Sequence, residues 1–216
     1  MRNILLIGLG RFGRYTAMKM NELGQQVMAV DKNEERVNKV LNYVTNAQIG
    51  DGTSEDFLRS LGVTNYDVCI VAIGDDFLAS LETTACLKDL GAKYVIARAA
   101  GKSQEKFLLR NGADEVVFPE RQLAIWTAIH CCSASLSNYI ELSDGYSLFD
   151  IHIPKQWVGK TVRELELRKK FGVNILGIKE NGIMNMHVNA DTELHEDMSL
   201  LALGREEELA KFIKLG

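Results

Sequence analysis

Six residues near the start of the chain, Gly8-Leu9-Gly10-Arg11-Phe12-Gly13, have the types and the spacing to cradle a phosphate. Gly8 permits a tight turn, Gly10 lets the backbone approach an anion, and Gly13 lets a following helix pack closely on the preceding strand. The helix that opens there adds free N–H donors and the positive end of its dipole. Eighteen residues beyond Gly13 stands Asp31, an acid suited to accept from both ribose hydroxyls of a nucleotide. Its charge repels a 2′-phosphate, which disfavours NADP.

The flanking segments supply what must hold these residues in place. A hydrophobic strand over 2–7 precedes the glycines, and a second strand over 26–30 ends at Asp31. Within a strand-helix-strand unit of about 30 residues the glycine pattern gains the specificity that it lacks alone. The alternation continues: a helix over 33–44, a short strand over 47–49 running into Gly50-Asp51-Gly52-Thr53, and a helix over 54–61. After them come a strand over 67–73, a helix over 76–90, a strand over 94–98, a helix over 102–110 and a strand over 115–118. Six such strands predict an α/β fold of the Rossmann class, a doubly wound parallel sheet that takes ligands beyond the carboxyl ends of its strands. Asp31-Lys32, Asp51-Gly52-Thr53, Ala72-Ile73-Gly74 and Arg98 all fall at such ends. With Gly8, Gly10, Arg11, Phe12 and Gly13 they form the candidate nucleotide-binding set.

From Pro119 the pattern changes. A helix over 120–133 is apolar nearly all round, through Leu123, Ala124, Ile125, Trp126, Ala128, Ile129, Cys131 and Cys132. Such a helix needs cover on several sides, from a second subunit or from the chain's own two domains. Ser143-Asp144-Gly145 reads as a turn and boundary. Beyond it a small α+β module is expected, with a strand over 146–153, a helix over 161–170, a strand over 173–179, a hairpin turn at Asn181-Gly182, strands over 183–188 and 198–203, and a charged helix over 206–215. The expected domains are 1–134 and 135–216.

At 216 residues and 46% hydrophobic, the chain has enough apolar material for one ordinary domain and a small second one. A net charge of −4 without a basic run leaves no electrostatic footprint for nucleic acid or an acidic membrane surface. No segment approaches the roughly 18 apolar residues of a membrane span. The apolar opening residues are too short for a secretory leader and are needed as the first strand. The expectation is a cytoplasmic protein without direct membrane insertion, reaching a membrane only through a partner. Cys69, Cys86, Cys131 and Cys132 lack CxxC spacing and lie in apolar patterns, so they read as buried free thiols. Adjacent residues on a helix point about 100° apart, so Cys131 and Cys132 do not readily share one metal ion.

Several motifs together resemble the RCK family, regulators of potassium conductance, and in particular the cytoplasmic regulatory subunits of Ktr/Trk-type potassium uptake systems. They are the glycine loop, Ala29-Val30-Asp31, Gly50-Asp51-Gly52-Thr53, Val71-Ala72-Ile73-Gly74, Gly112-Ala113-Asp114 with Pro119-Glu120 after it, and Leu142-Ser143-Asp144-Gly145-Tyr146. The resemblance covers essentially the whole chain. It implies a regulatory subunit rather than an enzyme, with ATP or ADP in the first domain. It also implies a homodimer assembling to an octameric ring, a membrane potassium-translocating subunit as partner, and a second module that binds cyclic di-AMP in related proteins. Arg11 matches an arginine that reaches the terminal phosphate of ATP; the alternative is a solvated arginine beside a bound NAD pyrophosphate. Glu120 matches a carboxylate near a nucleotide-linked cation, divalent or sodium, at the dimer interface, and it equally suits the positive start of its own helix. Arg168, Asn174 and Ile175 match the region that grips cyclic di-AMP, while Ala190 stands where the family pattern has proline.

The enzymatic rival is a small NAD-dependent oxidoreductase, which needs a proton-transfer residue at the cofactor. None of His130, His152, His187 and His195 falls at an expected Rossmann strand end. A free-standing NAD(H) or nucleotide sensor is the other alternative. A redox-sensing repressor lacks its basic DNA-reading helix here.

Overall fold

The computed structural model describes residues 1–132, 136–205, 207, 208 and 211. The chain divides into two compact units, Met1–Glu120 and Arg121–Gly216. In the first, strands β1 (Asn3–Ile7), β2 (Gln26–Asp31), β3 (Asn46–Ile49), β4 (Val68–Val71), β5 (Val95–Arg98) and β6 (Glu115–Val117) form one parallel sheet in the order β3-β2-β1-β4-β5-β6. Helices α1 (Arg11–Glu22), α2 (Glu34–Asn38), α3 (Glu55–Ser60), α4 (Phe77–Asp89) and α5 (Lys102–Arg110) make the crossovers. β1 shows why its sequence is apolar without alternation: Leu5 and Ile7 feed one core layer, Ile4 and Leu6 the other. Both faces of the strand are covered, each full burial contributing about 1.5–3 kcal/mol.

The strand order reverses between β1 and β4, and the backbone is stitched there. Gly8 N–H donates to the Val30 carbonyl at 2.8 Å, and Ala72 N–H to the Ile7 carbonyl at 2.7 Å. This switch point is where doubly wound sheets open a crevice.

The helix expected over 33–44 is two pieces, α2 and a 3-10 turn at Leu41–Tyr43. Val37 and Val40 are both buried, and Tyr43 N–H bonds the Val40 carbonyl three residues back. Lys39 caps the end of α2, and the chain then tightens into a short 3-10 turn, a form common at helix C-termini.

The second unit holds an antiparallel sheet in the order β10-β9-β11-β8-β7, from β7 (Leu136–Glu141), β8 (Tyr146–His152), β9 (Asn174–Glu180), β10 (Ile183–Asn185) and β11 (Met198–Arg205). Its core gathers Leu136, Phe149, Trp157, Leu194 and Leu200, with Ile125 and Ile129 of α6 (Pro119–Cys132) packed against it. All but the first two residues of α6 go with this unit, whereas the sequence reading put the helix in the first domain.

Ser143-Asp144-Gly145 is no boundary. It turns β7 into β8, with Asp144 and Gly145 both at positive φ as a tight hairpin requires. The helix expected over 161–170 breaks into α7 (Val162–Leu165) and α8 (Leu167–Phe171) at Glu166, φ +45°. Leu165 and Leu167 are both buried. On one continuous helix they would point about 200° apart, so the left-handed residue between them turns both inward. β10 stops at Asn185, short of the expected strand over 183–188. The charged helix expected over 206–215 lies mostly outside the described residues. The cysteines also differ from expectation: Cys69 is buried and its thiol pKa is pushed up to about 12 by that burial, but Cys86 is half-buried and Cys131 exposed.

Candidate functional site

A cleft of about 640 Å3 opens in the first unit at the switch point, a volume suited to a nucleotide-sized ligand. Its floor is the glycine loop. Gly8 has φ +96°, and a Cβ on it would lie 2.9 Å from the Ile73 nitrogen. A Cβ on Gly13 would fall 1.9 Å from the Gly8 carbonyl oxygen, so the first turn of α1 sits directly on the loop. Gly10 is different, because a Cβ there meets no protein atom within 4 Å. The space it leaves is open cleft. Gly10 is also the N-cap of α1 and offers no side-chain cap, so the helix begins on the cleft without a side-chain acceptor of its own.

Asp31 ends β2 and is 5% exposed. Its Oδ2 accepts from the Leu9 N–H at 2.6 Å, and its Oδ1 from the Asn33 N–H at 2.8 Å. Arg36 Nη1 lies 3.7 Å from Oδ2. The acid therefore holds the glycine loop as well as facing the cleft, a duty the sequence reading did not foresee. Each carboxylate oxygen keeps acceptor capacity for a ligand hydroxyl.

After β3, Asp51 Oδ1 accepts from the Thr53 N–H at 3.0 Å and from Thr53 Oγ1 at 2.9 Å. These bonds hold the Asp51 carboxyl below the usual carboxylate range. Gly52 is buried in that turn, where a Cβ would press on Ile7. Across the cleft, Arg98 at the end of β5 lies over Gly74, with its Cζ 6.0 Å from the Phe12 ring centre, and donates from Nη2 to Oε1 of Glu120. Burial works to raise the Glu120 pKa, but its own backbone N–H, Arg98 and Arg11 outweigh burial and hold it low.

The structure brings Gly8, Gly10, Arg11, Phe12, Asp31, Lys32, Asp51, Gly52, Thr53, Ala72, Ile73, Gly74, Arg98 and Glu120 to one cleft, with Gly13 packed beneath. It adds Arg14, Arg36, Lys39, Asp75, Asp76 and Ala79, which the sequence reading left out of the set. Arg14 follows Arg11 by three residues on α1, and Lys39 follows Arg36 by three at the end of α2. That spacing was the available signal. Six cationic side chains, Arg11, Arg14, Lys32, Arg36, Lys39 and Arg98, line the space against five carboxylates, although the chain as a whole is acidic.

In the second unit Arg168 and Asn174 are exposed on either side of the left-handed Gly172, and Ile175 packs partly into the core. His187 is exposed. Among the described residues no helix is long and apolar enough to cross a membrane, and no three His, Cys, Asp or Glu side chains gather as a metal centre.

Family models describing a TrkA-N domain and a TrkA-C domain match residues 4–119 and 147–215 respectively. Ktr system potassium uptake protein C of Bacillus subtilis is 36% identical over 213 residues, covering 99% of this chain and 96% of the relative. Ktr system potassium uptake protein A of the same organism is 34% identical over 211 residues, covering 98% and 95%. Among solved structures, the GsuK RCK domain superposes with a TM-score of 0.68 at 19% identity, over 99% of this chain and 47% of that one. This chain thus spans less than half of that neighbour, and the likeness at that identity is one of fold.

Proposed function

We propose that this chain, which belongs to the TrkA-N/TrkA-C family of RCK-type potassium-uptake regulators, binds an adenine nucleotide in its first unit and thereby gates a membrane potassium-translocating subunit of the Ktr/Trk type. The observation that carries the ligand assignment is the cluster of six cations around the side-chain-free start of α1, opposite Asp31. Asp31 takes the ribose, the loop N–H groups take the inner phosphates, and Arg11 takes the terminal phosphate. A nucleoside triphosphate brings more negative charge to this cluster than a dinucleotide pyrophosphate, which favours ATP or ADP over NAD(H).

On this reading the chain works from the cytoplasmic face as homodimers in an octameric ring, and the second unit takes cyclic di-AMP at Arg168, Asn174 and Ile175. Gating needs only that the two nucleotides differ in affinity for two ring shapes; about 1–3 kcal/mol per site, repeated around a ring, biases one gate strongly. The test is calorimetry with ATP, ADP and NADH, followed by potassium flux in liposomes carrying a Ktr-type membrane subunit. Arg11→Ala is expected to erase the ATP/ADP affinity gap with ADP binding nearly intact, and to flatten the flux difference. An equal loss for both nucleotides places Arg11 on the inner phosphates and favours the NAD reading. Failure of the two proteins to associate in any nucleotide state overturns the gating role.

A further inference from the structure

Arg98 is held on three sides. Its side chain is 17% exposed, Nη1 lies where a Cβ of Gly74 would stand, and Cζ faces the Phe12 ring. Its Nε is buried without a hydrogen-bond partner, so the guanidinium keeps unused donor capacity. Nη2 is engaged by Glu120, whose side chain is 56% exposed. A fixed cation is thus paired with a half-exposed carboxylate on a flexible stem, and Arg11 adds to the positive field at that carboxylate. Both residues line the nucleotide cleft.

We propose that Glu120 is an internal counter-anion: its carboxylate fills an anion subsite made by Arg98 over Gly74 and Phe12, and a phosphate of a nucleoside polyphosphate must displace it to bind there. The inference rests on the nucleotide reading of the cleft and adds a competitor built into the chain. Glu120 lies in the first turn of α6, whose residues from Arg121 onward belong to the second unit. Exchange of phosphate for Glu120 on Arg98 therefore frees the first turn of the connecting helix, and the two occupancies of one guanidinium are the two states that ligand binding biases. Glu120 as a cation ligand and Glu120 as a competitor make opposite predictions, because removing a ligand weakens nucleotide binding and removing a competitor strengthens it.

The experiment is calorimetry on the full chain with ATP, ADP and adenosine, in chelator and again with magnesium. Glu120→Gln is expected to tighten ATP in chelator by about threefold to tenfold, the span of a partly exposed charge-assisted pair, and to leave adenosine unchanged. In an Arg98→Ala background the same substitution should have no effect, which isolates the pair. Glu120 is exposed enough that folding is not at risk, and Glu120→Ala should repeat the gain. Unchanged or weaker ATP binding by both variants in chelator overturns the competition; a loss seen only with magnesium assigns Glu120 to the cation. If the wild-type chain binds neither ATP nor adenosine, the nucleotide reading itself fails, a result separable from either of these.

Discussion

Replacing Asp31 by alanine should damage the first unit before any ligand is added. The carboxylate is buried and accepts from two backbone N–H groups, Leu9 at 2.6 Å and Asn33 at 2.8 Å. Leu9 is itself 3% exposed, so its N–H loses its acceptor with little access to water. Leaving a buried donor unsatisfied costs about 1–3 kcal/mol, and the part-buried Asn33 donor adds less, for a sum of about 2–4 kcal/mol. At the size of this unit each kcal/mol moves the melting midpoint by about 3–4 °C, so a fall of roughly 6–16 °C is expected by scanning calorimetry. The second consequence is in binding: loss of a charge-assisted bond to ribose is worth about 1.5–3 kcal/mol, a tenfold to hundredfold weaker affinity for ATP. Asp31→Asn separates the two duties. One amide oxygen can still accept from Leu9 or Asn33, so the midpoint should recover in part while the charge-assisted ribose contact does not. A Tm and an ATP affinity both unchanged in Asp31→Ala would refute the placement of this acid in loop and site alike. A lowered Tm with unchanged affinity would leave it a purely structural residue.

The two glycines of the loop should part company. Gly13→Ala sets a Cβ 1.9 Å from the Gly8 carbonyl and is expected to cost stability and nucleotide together, whereas Gly10→Ala meets no protein atom and should keep the wild-type Tm while weakening ATP binding by tenfold or more; equal melting losses would overturn the distinction. Asp114 is pulled up in pKa by burial and down, more strongly, by the Val95 N–H and Lys88, so it lies below the ordinary carboxylate range. Its contribution of about 1 kcal/mol is present above the unfolded pKa of about 3.9 and lost as pH falls through the lower folded value, and Asp114→Asn should lower the Tm at pH 7 and flatten its decline below about pH 4. Leu123 and Trp126 are exposed on α6, which fits an assembly surface; Trp126→Glu should leave the chain folded but shift wild-type oligomers to smaller species in light scattering, and a wild-type monomer at micromolar concentration would remove the premise.

The parallel sheet is legible because its central strands report themselves through burial on both faces, as Ile4-Leu5-Leu6-Ile7 does, and because the glycine loop links two strands at fixed spacing. β7 was invisible for the opposite reason. Its pairing with β8 shifts register between Leu136 and Asn138, so Leu136 and Tyr139, both buried, stand three residues apart and break the two-residue alternation by which a strand is read. The three-residue spacing of Arg36 and Lys39 is a weak signal of the cleft, since polar residues around a short helix read as a solvated face until β2 and α2 are set side by side. The pairing of Arg98 with Glu120 carries this furthest. Arg98 stands out in sequence by its place at a strand end and Glu120 by the family resemblance, yet their contact depends on β5 and β6 running parallel with Arg98 opposite Val117, which brings Pro119 and Glu120 past the guanidinium. Gly74 then matters for what it lacks, because any side chain there would push Arg98 out of its seat. Local periodicity reports which residues line a strand end; only register decides which of their charges neutralise one another before a ligand arrives, and that internal neutralisation sets how strongly the empty cleft can attract a phosphate.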